Sequence, residues 1–250
     1  MTGGTTYNYR VRATDSSGNL SLNSTTTSVT TGGGVGGGGG VGLVAAYAFN
    51  EASGTTTADI SGNNNTGTLT NGPLRAAAGK FGAALSFDGT NDYVLVPNSG
   101  SLTLTTAMTL EAWVNPAIPL SNWKAILQKE TDAYFLTASS DQQNRPASGF
   151  TRSTGACCAF TYATAALASN TWTHVAATYD GAQVRMYING VQVSSTPTTG
   201  SIQSTTTPLR IGGNTYSTEF FQGLIDEVRI YNRVLTQAEI QTDMTTPIAP

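Results

Sequence analysis

The stretch TWTHVAATYDGAQVRMYINGV, residues 171 to 191, decides the fold. In it Arg185-Met186-Tyr187-Ile188 and Val191-Gln192-Val193 flank Asn189-Gly190, a pair that tolerates positive φ and therefore closes a tight hairpin. Asp180-Gly181 supplies the same chemistry one strand earlier, and Asp88-Gly89 does so far upstream. Working outward, extended runs fall near 43–49, 84–88, 92–96, 108–115, 124–128, 133–138, 147–152, 158–163, 172–179, 183–189, 191–196, 207–212 and 220–231. Many short strands joined by Gly and Asn turns, with almost no helical periodicity, predict an all-β sandwich. The exception is Thr236-Gln237-Ala238-Glu239, whose capping-box spacing opens one short helix ending near Met244.

The chain has 250 residues, enough for a sizeable core, and only 11% of them are charged. An average soluble protein carries roughly 25%, so the polar surface here is made mainly of Thr, Ser, Gly and Asn. A net charge of −3 with scattered basic residues gives no footprint for a polyanion, which argues against nucleic acid as a partner. No apolar run reaches the about 18 residues that would span a bilayer. The first residues lack the basic-then-apolar pattern of a signal peptide, and the chain reads as a piece of a longer secreted protein.

Upstream of the sandwich the chain changes character twice. In residues 5 to 31 Tyr7, Tyr9, Val11 and Ala13 alternate with polar positions, the turn Asp15-Ser16-Ser17-Gly18-Asn19 follows, and a second extended stretch ends near Val29. A hairpin over 1–31 is the economical reading. The run GGGVGGGGGVG, 32–42, cannot bury a core and loses much backbone entropy on ordering, so it is a linker. Globular patterning begins at Leu43 and defines a domain over 43–250.

Three further segments, LVAAYAFNEASG (43 to 54), LSFDGTNDYVLV (85 to 96) and FQGLIDEVRIYNRVLTQAEI (221 to 240), join the opening stretch in a shared pattern. Together they resemble the laminin-G-like, concanavalin-A-like jelly-roll family over residues 43 to 243. That resemblance implies a two-sheet antiparallel jelly roll with one short C-terminal helix, and modules that bind glycans or partner proteins without catalysing. The phrase YNYRVRATDSSGNLSLNS is similar to the last two strands of a fibronectin type III domain, which occurs beside carbohydrate-active modules in bacterial secreted proteins.

Four groups of residues could carry chemistry. Retaining glycoside hydrolysis needs two carboxylates about 5 to 5.5 Å apart, which on a strand means acids two positions apart on one face. Glu111 is followed by Trp113, and Asp226-Glu227 are adjacent, so their side chains should point to opposite faces; no catalytic pair is expected. His174 has no acidic or cysteine neighbour at a recognisable spacing and reads as structural.

The loop Thr57 to Gly67 gathers Asp59, Asn63, Asn64, Asn65 and hydroxyls, the hard oxygen donors that calcium takes. The resemblance implies a structural calcium between this loop and the last strand, held by Asp59 and Asp226, with Asn64 as a further ligand. The competing reading makes Asp59 an Asx turn and Asp226 or Glu227 a solvated strand residue. Cys157-Cys158, the only cysteines, could close a vicinal disulfide forming a rigid apolar plate, remain two thiols on opposite faces of a strand, or bridge between chains.

Sugar rings pack their apolar faces on aromatic side chains while amides and carboxylates fix the hydroxyls. Trp113 and Trp172 lie on signature strands and are assigned to the core. Among the freer rings, which include Trp123, Phe160, Tyr216, Phe220 and Phe221, the residues Tyr134, Phe150 and Tyr162 in the variable middle region are the ligand-binding candidates. The expected function is a non-catalytic extracellular or cell-surface module that recognises carbohydrate, a glycan or cell-surface polysaccharide, within a larger protein. An adhesive subunit that self-associates by strand addition of the N-terminal hairpin is the alternative, and a glycan-degrading enzyme comes third.

Overall fold

The computed structural model describes residues 6 to 25, 27 to 30 and 40 to 249. Two antiparallel eight-stranded sheets make up the body. The first runs, in spatial order, Ala159–Tyr162, Ala147–Phe150, Tyr134–Ser139, Lys124–Lys129, Leu209–Ile211, Tyr93–Val96, Gly67–Thr70 and Thr56–Thr57. The second runs Val191–Pro197, Gln183–Ile188, Thr173–Tyr179, Met108–Pro116, Gln222–Tyr231, Ala84–Asp88 and Leu74–Ala76, with Leu43–Tyr47 joining the far half of Gln222–Tyr231. This is the all-β sandwich that the strand pattern predicts, in the two-sheet jelly-roll form that the resemblance implies.

Period-two alternation builds the space between the sheets. Leu110, Ala112 and Val114 from Met108–Pro116 meet Val175 and Ala177 from Thr173–Tyr179 and Tyr134, Leu136 and Ala138 from the opposite sheet, all fully or nearly fully buried. Each Leu or Val among them contributes roughly 1.5–3 kcal/mol on burial, and each Ala about 0.8 kcal/mol or less. The expected Asn189-Gly190 turn is present, with both residues at positive φ and Ile188 paired to Val191. Three strands escaped the sequence reading: Thr56–Thr57, Gly67–Thr70 and Leu74–Ala76 are too short and too polar to show a period.

The last strand, Gln222–Tyr231, changes partner part-way along. Its first half pairs with Ala84–Asp88 and Met108–Pro116, and after a register shift between Asp226 and Arg229 it pairs with Met108–Pro116 and Leu43–Tyr47. Glu227, at φ 53, sits in that bulge. Both Asp226 and Glu227 are completely buried, so neither is the solvated strand residue that an exposed edge would give.

On the outer face of the second sheet a smaller apolar cluster, including Ala46, Ala176, Tyr187, Leu235, Ile240 and Ile248, lies under the helix Gln237–Thr245. The helix begins as its sequence predicts: Thr236 Oγ1 accepts from Glu239 N, and Thr236 N donates to Glu239 Oε2. Polar groups latch it down. Tyr231 Oη donates to Asp243 at 2.6 Å, Trp113 Nε1 to the Met244 carbonyl, Arg229 to Glu227 and the Thr246 carbonyl, and Ile248 N to Glu227. Trp113 thus lies outside the main core, beneath Lys80, whose ammonium is 4.0 Å from its ring centre.

His174 belongs to this latch. It is wholly buried against Trp113, and burial, with Arg229 and Lys80 nearby, pushes its pKa down to about 3. Glu111 lies 3.9 Å away, and burial pushes its carboxyl well up as it pushes the imidazole down, so desolvation favours the neutral form of both. No hydrolytic arrangement forms around this histidine among the described residues.

Upstream, Thr6–Tyr9 pairs with Thr27–Thr30, and Thr14 bridges to Leu20, so a hairpin turning at Asp15 to Asn19 is present. Asp15 holds the turn by accepting from Ser17 N and Asn19 N at 2.9 Å each. Residues 32 to 39, most of the glycine-rich run, lie outside the described residues.

Candidate functional site

The outer face of the first sheet carries a pocket. Pairing registers bring Gln128, Phe135, Gly149 and Phe160 into one row across four neighbouring strands, and residues directly opposite on paired strands share a face. Gly149 contributes no side chain to this row. A Cβ there would overlap the Ala159 carbonyl oxygen and lie 2.5 Å from Phe160 Cβ, so only glycine lets the edge strand Ala159–Tyr162 approach.

Rings gather at one end of the row. Trp123, just before Lys124–Lys129, has its ring centre 6.2 Å from Phe135, 6.3 Å from Phe160 and 6.4 Å from Tyr162, mostly edge to face. Phe160 and Tyr162 are 5.2 Å apart, with the Arg145 guanidinium 5.6 Å from the Tyr162 ring centre. Such edge-to-face pairs add about 0.5–1.5 kcal/mol each beyond burial and fix ring orientation. Trp123 and Phe160 stay half-exposed and so present surface to a ligand.

The other wall is made of acceptors. Gln128 is 4% exposed; its Nε2 donates to Asp132 Oδ1, while its Oε1 has no hydrogen-bond partner among the described residues. Asp132, at φ 59, projects from the turn linking Lys124–Lys129 to Tyr134–Ser139. Glu219 comes from the loop before the last strand and accepts from Asn214 Nδ2 at 2.7 Å. Burial raises the pKa of Asp132 against the lowering effect of the Gln128 bond. Burial also raises that of Glu219; the Asn214 bond and Lys124 oppose this, and the charge of Asp132 reinforces it.

Cys157 and Cys158 close the rim, their sulfurs joined to each other. Trp123, Gln128, Asp132, Phe135, Phe160 and Glu219 with the disulfide enclose about 240 Å³. A second, polar hollow of about 290 Å³, lined by Asn122, Lys124, Ser217 and Thr218, shares Trp123 and Glu219 with the first. The two form one groove straddling those side chains.

Of the three aromatic residues picked from sequence, only Tyr162 lies in this cluster. Tyr134 and Phe150 are corrected: they are 1% and 0% exposed and point into the space between the sheets. Along Tyr134–Ser139 the residues alternate, so Phe135 faces the pocket because Tyr134 faces the core. Phe135, Gln128, Asp132 and Glu219 were missed. The signal that could have found Phe135 is the neighbouring pair Phe135 and Thr137, which shares the face opposite to Tyr134, Leu136 and Ala138.

The expected calcium ligands sit apart in function. Asp59 Oδ1 accepts from Ala46 N and Ser61 N, and Oδ2 from Ser61 Oγ and Asn65 N, all at 2.9 to 3.0 Å. A carboxylate offers about four lone-pair sites, and these four donors occupy them. Asp59 thereby clamps its loop to Leu43–Tyr47, with the Asx turn to Ser61 included. Asp226 accepts from Phe81 N and Glu227 N, and Asn64 is exposed at φ 59. In this arrangement the donor set does not fit a shared cation.

The same architecture is shared by known proteins. Residues 88 to 241 match the family described as the concanavalin A-like lectin/glucanases superfamily, Laminin_G_3. The chain belongs to that superfamily. This lectin/glucanase-type domain is similar in fold to the binding domain of Paraclostridial Mosquitocidal Protein 1, with a TM-score of 0.65 and 17% identity over 81% of this chain and 52% of that one. It is likewise similar to Domain 4 of AbnA, a GH43 extracellular arabinanase from Geobacillus stearothermophilus, seen in complex with arabinotriose, with a TM-score of 0.64 and 24% identity over 81% of this chain and 98% of that one. A segment covering 30% of the chain is 39% identical over 80 residues to pappalysin-1 of Mus musculus, of which it spans 5%. No helix among the described residues is long and apolar enough to cross a membrane.

Proposed function

We propose that this superfamily domain is a non-catalytic glycan-binding module of an extracellular protein and that the Trp123 groove holds the sugar. The observation that carries the reading is the pairing of half-exposed rings, Trp123 and Phe160, with an acceptor wall of Gln128, Asp132 and Glu219 in one pocket. Rings take the apolar face of a pyranose, and acceptors take its hydroxyls. The disulfide plate at the rim adds a rigid apolar surface. The likeness to an arabinanase domain bound to arabinotriose supports this reading at the level of fold.

Asp132 and Glu219 also favour a second reading, hydrolysis, because they line one pocket and interact electrostatically. Each is tied by an amide, Gln128 or Asn214, which suits a fixed acceptor better than a nucleophile. Incubation with polysaccharides that bind should give no new reducing ends. Their appearance, abolished by Glu219→Gln, would replace binding by catalysis.

The test of the binding reading is a titration of a glycan that the chain retains on a printed array, against wild type and Trp123→Ala. Losing a central aromatic anchor costs about 2 kcal/mol or more, so affinity should fall roughly 30-fold while thermal unfolding stays cooperative. An unchanged affinity would remove the groove from the account.

A further inference from the structure

We infer that the pocket selects a single sugar residue that is neutral or carries an amine, and that it rejects sugars bearing a carboxylate. The inference rests on the glycan-binding reading and adds the chemical class of the ligand. The polar wall of the pocket is rich in acceptors: Gln128 Oε1, with no partner among the described residues, and the carboxylates of Asp132 and Glu219, against which the lining sets two N–H donors, the Trp123 indole and the second N–H of Gln128 Nε2. Thr137, the remaining polar residue of the lining, uses its hydroxyl on the backbone of Ala147.

To satisfy that acceptor wall a ligand has to bring donors, which hydroxyl and ammonium groups do and a carboxylate does not. Buried Gln128 makes the demand sharp, because an unmet acceptor at 4% exposure carries a desolvation penalty that a ligand hydroxyl would relieve. The nearby cations stand outside this pocket: Lys124 lines the neighbouring hollow, and Arg145 lies over Tyr162. A ligand carboxylate entering here would face the carboxyl groups of Asp132 and Glu219, and the cation that acts on Glu219, Lys124, lines the neighbouring hollow and not this pocket.

Size narrows the class further. At about 240 Å³ the enclosed space falls below the roughly 300–1,000 Å³ of pockets that hold drug-sized molecules, which matches one ring and not a run of them. The next residue of a chain would leave past Trp123 and Glu219 into the polar hollow, where Asn122, Ser217 and Thr218 offer both donors and acceptors.

The experiment is a printed array carrying neutral, amino and carboxylated glycans, followed by titration of the best-bound glycan and of its counterpart with a uronic or sialic acid as terminal residue. The carboxylated counterpart should bind at least about tenfold more weakly, and Glu219→Gln should shrink that ratio. Equal binding of both forms, lost together in Trp123→Ala, would overturn the selection rule and leave the sugar site standing. Binding of carboxylated glycans alone would overturn it as well. Silence across the whole array would overturn both this inference and the glycan-binding reading.

Discussion

Arg229→Met should lower the unfolding free energy by about 3–5 kcal/mol, the cost of removing one partner of a buried charge pair. Arg229 is fully buried between Glu227, 3.1 Å away, and the Thr246 carbonyl, with Glu111 opposite it across the strand pair. Without the guanidinium, Glu227 keeps only the Ile248 amide and loses the charge that offsets its desolvation; burial already pushes its pKa up to about 7. The C-terminal segment would lose its tie to the sheet at the same time. Denaturant titration of wild type and variant measures the effect. A loss under about 1 kcal/mol would mean that the latch beneath Gln237–Thr245 contributes little. Arg229→Met combined with Glu227→Gln should recover part of the loss, because no buried charge then stands alone.

Gly149→Ala should damage stability and sugar binding together. The added methyl meets backbone, the Ala159 carbonyl and the Phe160 Cα, and neither can rotate away as a flexible side chain could. Overpacking of this kind costs about 1–3 kcal/mol and sometimes more. Relief comes only by moving the edge strand Ala159–Tyr162, which carries Phe160 and Tyr162 away from Trp123. Calorimetry and the same glycan titration give the two readouts. A variant that unfolds as wild type does and binds with unchanged affinity would show that the close approach of this strand is not what shapes the pocket.

The sandwich was legible because its evidence is local and repeated. Asn189-Gly190 needs no tertiary information to be read as a hairpin turn, and Thr236 with Glu239 needs none to be read as a helix start. The pocket was legible only in parts. Trp123, Phe160, Tyr162 and the two cysteines stood out as residue types, yet the row from Gln128 to Phe160 exists only through the pairing of four strands. Tyr134 and Phe150 show the difficulty directly: in a strand of aromatic and aliphatic residues, composition does not say which alternate set faces the opposite sheet. Asp59 shows the reverse case. An oxygen-rich loop fits calcium by composition, while its carboxylate is taken up by Ala46, Ser61 and Asn65, partners that a linear reading does not place around it. Glu219 could not be associated with Asp132 at all before the loop ahead of the last strand was seen to fold back over the sheet.

A crystal structure of the chain with a retained oligosaccharide tests the central claim most directly. The account predicts one sugar ring packed against Trp123 and Phe160, with its hydroxyls donating to Gln128 Oε1, Asp132 and Glu219. A ring bound instead in the cleft beside Asp88, Asn115 and Asn170 on the second sheet, with the Trp123 groove empty, would contradict it.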